Sequence, residues 1–428
     1  MKILFLSHYF PPEVNAPATR TYEHCRQWAA AGHKVTVITC APNHPKGDVF
    51  SGFNNNLYHV SYVDGIRVVR VWTYITANEG FLKRTLGYLS YMFAAIIASF
   101  FVGKQDLVLS TSPQFFNGLA GFFVSRIKHS PWVLEIRDLW PESIVAVGAI
   151  RNTTIIKCLE HIERFCYRKA DHIIAVTQSF KKHILARGGK ADKLSVIYNG
   201  VDLSLFDCAE VQSKADAAQY FGVHYEPSMF FAAYVGTHGM AHHLETILEA
   251  AEILKDHPSI RFLMAGDGSE KAKLVKIKQE KSLHNVIMLD QLPKADMPRL
   301  WQLVDTSLVL LKKSDLFKTV IPSKIFESMA MKRPIVLGVE GEVADIINES
   351  ESGICITPED ASQLADAVEH LHDHRAYAEL LGENGLAYVA RTFERSQLAL
   401  QFMHILEGID RRRREMFSPS PLASRQLP

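Results

Sequence analysis

Cysteine is scarce and unordered in this chain: six residues, at 25, 40, 158, 166, 208 and 355, with no C-x-x-C pair. That leaves no disulfide framework and no cysteine-built metal centre to expect, and it points to reduced thiols in a cytoplasmic protein. His242 and His243 are adjacent rather than four apart, so zinc is not expected there either, and no metal site is assigned. Charge of one sign is equally short. Lys and Arg number 47 against 46 Asp and Glu, a net of +1, and nothing in that balance would neutralise a phosphate backbone, so nucleic acid is not an expected partner. The tight G-x-G-x-x-G turn of a dinucleotide-binding domain is missing after the first apolar run. HYFPPEVNAPAT, with Pro11, Pro12 and Pro17, stands in its place and disfavours a nicotinamide cofactor; no other cofactor is expected. Long uncharged runs reduce to one, LGYLSYMFAAIIASFFVG at 86–103. It reaches the minimum for a membrane span, yet glycine, serine and tyrosine dilute it and Lys83, Arg84 and Lys104 flank it, so a buried or interface-lying helix is the preferred reading. The opening MKILFLSHYFPPE has one Lys and a short apolar run before its prolines, and reads as a first strand rather than a signal peptide.

What is present is a long alternation of apolar runs and helical periods. At 428 residues and 47% apolar content, two domains are expected. In the first half, strands are expected at 2–7, 34–39, 65–72, 106–111, 131–137, 172–177 and 193–199. Helices are expected at 19–31, 81–102, 114–128, 152–169 and 178–187. The second half repeats the pattern from strand 229–236 through 261–268, 285–290, 306–312 and 335–338 to 353–360, with helices at 361–372, 374–391 and 394–409 closing the series. This is an α/β chain with two doubly wound, Rossmann-like domains whose strand ends face each other across a deep cleft. The expected division is an N-terminal domain at 1–202, a C-terminal domain at 203–393, a helix at 394–410 returning to the first domain, and a disordered tail at 411–428.

Ligands bind beyond the C-terminal ends of such strands. The stretch IPSKIFESMAMKRPIVLG (321–338) puts Ser323, Lys324 and Glu327 at the start of a short helix there. A carboxylate accepts hydrogen bonds from both ribose hydroxyls, and an ammonium attracts phosphate; a plain surface Lys–Glu pair is the alternative. Gly236, Thr237, His238 and Gly239 follow a strand and let backbone N–H groups approach a diphosphate, while Leu292 sits in a loop suited to a base edge. In the first half, RDLWPES (137–143) carries Asp138 and Glu142 around an expected exposed Trp140-Pro141 pair. Such carboxylates suit the activation of a hydroxyl and such an indole suits stacking on a sugar, although Arg137–Asp138 as a simple ion pair explains the same residues. His8, Glu13, Asn15 and Arg20 on the first loop are expected to face the same cleft.

These motifs, in this order, resemble bacterial glycosyltransferases of the GT-B fold, family 4. The resemblance rests on the Pro-rich first loop with AAAGHKVTVIT, on DLWPES, VIYNGVDLSLF, AGDGSE, NVIMLDQLPKADMPRLWQLVDTSLVLL and PSKIFESMAMKRPIV, and spans nearly the whole chain. It is nearest to the fucosamine-type amino-deoxysugar transferases of surface-polysaccharide assembly. The resemblance implies a retaining transfer from a nucleotide-diphosphate sugar, UDP-linked by preference, to a lipid-linked or saccharide acceptor, without an obligatory metal. The site would be the inner face of the cytoplasmic membrane. It gives Glu327 the ribose, Lys324, Ser323 and the Gly236–Gly239 turn the diphosphate, and Leu292 the base. Three departures stand out. The first carboxylate of the E-x7-E motif is Thr319, the usual Arg and Lys of the diphosphate clamp are absent from 237–243 and leave His238, His242 and Lys324 as substitutes, and the Asp138 loop replaces an acceptor-side histidine. A sugar-nucleotide 2-epimerase on the same architecture, or a non-catalytic nucleotide-sugar binder, would share most of this pattern.

Overall fold

The computed structural model describes residues 1–44, 47–76, 81–146, 148, 150–206 and 213–417. The chain divides into two compact units, one built from residues 1–198 and from residue 396 onward, the other from residues 199–395.

The first unit runs β1 (Lys2–Leu6), α1 (Ala16–Ala30), β2 (Lys34–Cys40), β3 (Tyr58–Val63), β4 (Ile66–Val71), α2 (Phe81–Ser99), β5 (Leu107–Thr111), α3 (Asn117–Lys128), β6 (Trp132–Ile136), α4 (Glu142–Ala146), α5 (Thr153–Lys169), β7 (His172–Ala175), α6 (Gln178–Ala186) and β8 (Leu194–Val196). Its sheet has the order β3-β4-β2-β1-β5-β6-β7-β8. The strands are almost continuously apolar because helices cover both faces of a parallel sheet. Leu4, Leu6 and Ile38 pack on one face with Tyr91 and Ala95 of α2 and Val124 of α3, and Ile3, Phe5 and Val37 pack on the other with Trp28 of α1. Only β3 is antiparallel, and it is absent from the expected strands. Its signal was nonetheless there: Asp64-Gly65 adopts φ of 46° and 78°, the positive pair that a two-residue hairpin needs.

The second unit contains α7 (Lys214–Tyr220), β9 (Phe230–Val235), α8 (Glu245–Ile253), β10 (Ile260–Ala265), α9 (Lys271–Glu280), β11 (Val286–Leu289), α10 (Met297–Leu303), β12 (Thr306–Leu310), α11 (Lys324–Ala330), β13 (Ile335–Gly338), α12 (Glu342–Ser350), β14 (Gly353–Cys355), α13 (Ala361–Asp373) and α14 (Arg375–Thr392). All six strands are parallel, in the order β11-β10-β9-β12-β13-β14. Ser213 and Asp216 form a reciprocal capping box that starts α7, and residues 207–212 of the region expected as a linker lie outside the described residues.

The last helix, α15 (Arg395–Phe417), lays Leu398, Phe402, Met403, Leu406 and Ile409 on the α1 face of the first unit, and Trp28 Nε1 donates to Ala399 O at 3.1 Å. Residues 411–417, expected as the start of a disordered tail, continue this helix. Arg414 pairs with Asp410 one turn back at 2.9 Å, and Arg413 donates to the carbonyls of Asp106 and His129. Residues 418–428 lie outside the described residues. Among the described residues no helix is long and apolar enough to cross a membrane.

Candidate active site

In the second unit the strand order reverses between β9 and β12, the place beyond the strands' C-terminal ends where a doubly wound sheet puts a ligand. Gly236–Gly239 leaves β9 into it, and α11 enters it after β12. Lys324 Nζ is buried, lies 3.7 Å from the centroid of the Tyr234 ring, and has no hydrogen-bond partner among the described residues. A Cβ at Gly236 would stand 3.2 Å from that ammonium, so glycine leaves it room. Burial, only partly opposed by Glu327, pulls the Lys324 pKa down to about 7.

Two histidines close on the same spot. His238 is fully buried, and neither ring nitrogen has a partner among the described residues. Burial, with Lys271 and Lys324 nearby, lowers its pKa to about 4. His242 shares a hydrogen bond between Nδ1 and Leu310 O at 3.3 Å, and burial lowers it to about 4 as well. Both rings are therefore neutral at pH 7, which leaves Lys324 as the cation of the group.

The loop is held by its neighbour. His238 N donates to Asp267 O and Glu270 N to His238 O, both at 2.9 Å. Gly266, at φ 145°, lies so close that a Cβ there would meet Gly236 O at 1.9 Å. Glu327, one turn along α11 from Lys324, is half-buried. Burial raises its pKa, opposed by Lys294, Arg395 and Lys324, with the Trp301 indole beside it. Leu292 is half-buried against the cluster that contains Trp301. Ser323 and Thr237 are exposed, and Gly239 is half-buried. Thr319 turns its hydroxyl to Leu316 O at 2.6 Å.

In the first unit the corresponding reversal lies between β1 and β5. A small open pocket of about 40 Å³ near the ends of β1, β2 and β4 is lined by His8, Tyr9, Asn43, His44, Tyr74, Arg84 and Tyr88, among others. The His8 ring meets Tyr9 and Tyr88 edge-on at 4.8 and 5.5 Å, and burial, with His44 adding to it, lowers its pKa to about 4. Of His8, Glu13, Asn15 and Arg20, the lining includes His8 alone. Glu13 is buried beneath it and accepts from the backbone N–H groups of Asn43 and His44, both at 3.0 Å. Asn15 caps α1 by accepting from Ala18 N at 2.8 Å. Arg20 is buried in a 2.9 Å pair with Glu135 and donates to the carbonyls of Ile197 and Tyr198. These three hold the loop in place through those bonds, and Asn15 Nδ2 has no hydrogen-bond partner among the described residues. Tyr9, His44, Tyr74, Arg84 and Tyr88 were missed by sequence reading because four separate segments supply them. The available signal was the recurrence of a histidine or tyrosine two to four residues past strand ends, at His8, Tyr9, His44 and Tyr74.

The DLWPES loop departs most from expectation. Trp140 is buried, stacked on Phe115 with centroids 5.9 Å apart and covered by the Arg84 guanidinium at 5.7 Å. Its large apolar surface is stabilised more by packing than by solvent, so it is not the exposed platform anticipated. Asp138 accepts from Ser143 Oγ at 3.1 Å and lines a second, largely apolar cavity with Phe115, Leu134, Trp140 and Tyr167; burial pushes its pKa up. Glu142 is exposed on the first turn of α4 and lies 3.2 Å from His183 Nδ1. Arg137 donates to the carbonyls of Ala16 and Pro17. The two carboxylates thus stand in different surroundings and do not form one acid–base pair.

Among the described residues one group has the makings of a metal site: His257, His372 and Asp373, with ligand atoms within 4.8 Å of one another. Its hydrogen bonds are closed internally, His372 reaching Ser259 Oγ and Asp373 Oδ1 at 2.7 Å each.

Residues 15–200 match the glycosyl transferase 4-like domain, and residues 226–387 match the domain of glycosyl transferases group 1. The putative colanic acid biosynthesis glycosyl transferase WcaI of Escherichia coli K12 is 25% identical over 428 aligned residues, which cover 95% of this chain and 100% of that one. Sucrose-phosphate synthase from Thermosynechococcus elongatus has the same fold, with a TM-score of 0.72, 18% identity, and coverage of 95% of this chain and 98% of that one. So does Anabaena Alr3699/HepE in complex with UDP and glucose, with a TM-score of 0.71, 18% identity, and coverage of 95% and 99%. Two parallel Rossmann-like units, each matching one half of the same enzyme architecture, make this chain a glycosyltransferase of family 4, with the GT-B fold.

Proposed function

We propose that the enzyme moves a sugar, an N-acetylated deoxy-aminosugar by its motifs, from a UDP-sugar to a lipid-linked or saccharide acceptor, with retention of configuration. The setting is surface-polysaccharide biosynthesis at the inner face of the cytoplasmic membrane. The observation that carries the reading is Lys324, a buried, unpaired ammonium against the Gly236 backbone, which calls for an anionic partner. In this reading Lys324 and the backbone N–H groups of Gly236–Gly239 hold the diphosphate. They stabilise the charge that develops there as the glycosidic bond breaks. His238 and His242 supply neutral hydrogen-bonding edges, Ser323 adds a hydroxyl, Glu327 accepts from the ribose hydroxyls, and Leu292 lies against the base. The solved HepE structure with UDP and glucose, and the relative named for colanic acid biosynthesis, support the donor class and the polysaccharide setting.

For the acceptor, Tyr9, Tyr74 and Tyr88 offer flat faces with hydroxyl edges suited to a sugar, and Arg84 suits a phosphate of a lipid carrier. His8, neutral at pH 7, is the better candidate to take the acceptor proton. Asp138 is walled by Phe115 and Trp140 and biased toward its protonated form.

A thermal-shift panel of nucleoside diphosphates tests the donor side. UDP is expected to stabilise the protein by about 2.7 kcal/mol at a hundredfold excess over its Kd, GDP and ADP at the same concentration by less, with the shift lost in Lys324→Met and Glu327→Ala. An unchanged UDP shift in Lys324→Met would remove the main support. On the acceptor side, His8→Ala should depress transfer far more than Asp138→Asn; the reverse order would return the role to Asp138.

A further inference from the structure

Among the described residues, nothing covers the outward face of α2. Leu86, Phe93 and Ile97, then Phe100 and Phe101 just past the helix end, are 48%, 58%, 61%, 65% and 69% exposed. Their spacing of seven, four and three residues places them on a single stripe, while Tyr91, Met92, Ala95 and Ala98 on the opposite face fill the core. Phe123 of the neighbouring α3 is also exposed, and Tyr58 of edge strand β3 meets Phe101 at 5.9 Å between ring centroids. A contiguous aromatic strip of this kind on a soluble unit marks a contact surface.

Its surroundings carry one sign of charge. Residues 81–104 contain no Asp or Glu, and exposed Lys83 and Lys104 mark the two ends of the stripe. Arg413 donates to the carbonyls of Asp106 and His129, just past the ends of α2 and α3, and Arg126 on the last turn of α3 is exposed. The near-neutral total conceals a division. Residues 1–198 and 396–428 hold 28 Lys and Arg against 16 Asp and Glu, a net of +12, whereas residues 199–395 hold 19 against 30, a net of −11. A second copy is a poor occupant, because pairing this face with itself would set cation against cation. A span is excluded by length and polarity.

We propose that this face docks on a bilayer with anionic headgroups. The Phe93, Ile97 and Phe100 side chains enter the headgroup–acyl boundary, and Lys83, Lys104 and Arg126 meet lipid phosphates. The proposal extends the transferase reading by naming the surface that works at the membrane. Its test needs neither donor nor acceptor, so either reading fails without the other.

The full-length protein is co-sedimented with vesicles of phosphatidylglycerol and phosphatidylethanolamine, and with vesicles of phosphatidylcholine alone. Partition is expected to be at least ~tenfold stronger on the anionic vesicles and to weaken with added salt. Lys83→Glu with Lys104→Glu should erase the preference, and Phe93→Gln, Ile97→Gln and Phe100→Gln together should cut partition ~tenfold or more on both vesicle types. Far-UV circular dichroism and a melting temperature matching wild type certify the fold of both variants. Phe93→Trp supplies an independent reading, with indole emission moving to the blue on anionic vesicles. The proposal is overturned by wild-type protein that stays in the supernatant, by a triple variant that partitions like wild type, by a charge-reversed pair that keeps the anionic preference, by unshifted Phe93→Trp emission, or by a wild-type dimer that the triple variant abolishes.

Discussion

Lys324 shows how far burial changes a residue whose type is obvious from the sequence. With its pKa near 7 in the free protein, it is already losing its proton in mildly basic solution. A diphosphate favours the ammonium and raises that pKa in the complex. Below pH 7 the proton is already present. Above it, binding takes one up, so affinity for UDP is expected to fall as pH rises, by at most ~tenfold per pH unit. Titration calorimetry at pH 8 in two buffers of different ionisation heat should report uptake of close to one proton, and Lys324→Met should abolish it. In the unliganded protein the sign is opposite. Between pH 7 and the ordinary value of 10.5 the unfolded chain holds this proton and the folded one does not, so that contribution to stability grows as pH rises. The Lys324–Glu327 spacing was legible in the sequence. That the Nζ would lie over Tyr234 with no hydrogen-bond partner among the described residues was not, because Tyr234 is ninety residues away.

Among the elements, the proposed donor site depends on two strand–loop–helix connections in backbone contact. Gly266 is the position where they touch, and it combines a left-handed φ with a Cβ direction blocked by Gly236 O at 1.9 Å. Gly266→Ala is expected to cost more than ~2 kcal/mol in denaturant unfolding and to abolish the UDP shift, since no rotamer relieves a clash between backbones. Gly103→Ala, where nothing lies within 4 Å of the added carbon, should stay within ~0.5 kcal/mol of wild type. Helices and strands with strong periodicity were legible, including most of both sheets. The β3 hairpin announced itself only through Asp64-Gly65, and α12 was absent from the expected series. The DLWPES loop was read correctly as a loop after a strand. Its exposure was misjudged because the rings that bury Trp140 come from α2 and from the loop after β5.

For the whole molecule, the chain leaves its first unit, builds the second, and returns through α15. Phe402 is fully buried against Trp28 at 5.2 Å between centroids, and against His24. Phe402→Ala is therefore expected to destabilise the first unit by about 3–5 kcal/mol, a residue distant in sequence acting as core for the opening strands. Calorimetry should show a lowered transition, while UDP binding by the second unit persists.

Hydrophobic period, turn residues and motif order determined the two parallel sheets, the alternation of elements and the small set of residues at the donor strand ends, because those are local properties of neighbouring side chains. Tertiary structure alone decided which polar side chains serve as supports, as Glu13, Asn15 and Arg20 do, and which buried polar atoms have no hydrogen-bond partner among the described residues, as in Lys324 and His238. It alone collected Tyr9, His44, Tyr74 and Arg84 around one cavity and left one face of α2 bare. The reason is physical: hydrogen bonds, burial and like-charge repulsion depend on distances in space, and here the partners lie tens to hundreds of residues apart along the chain.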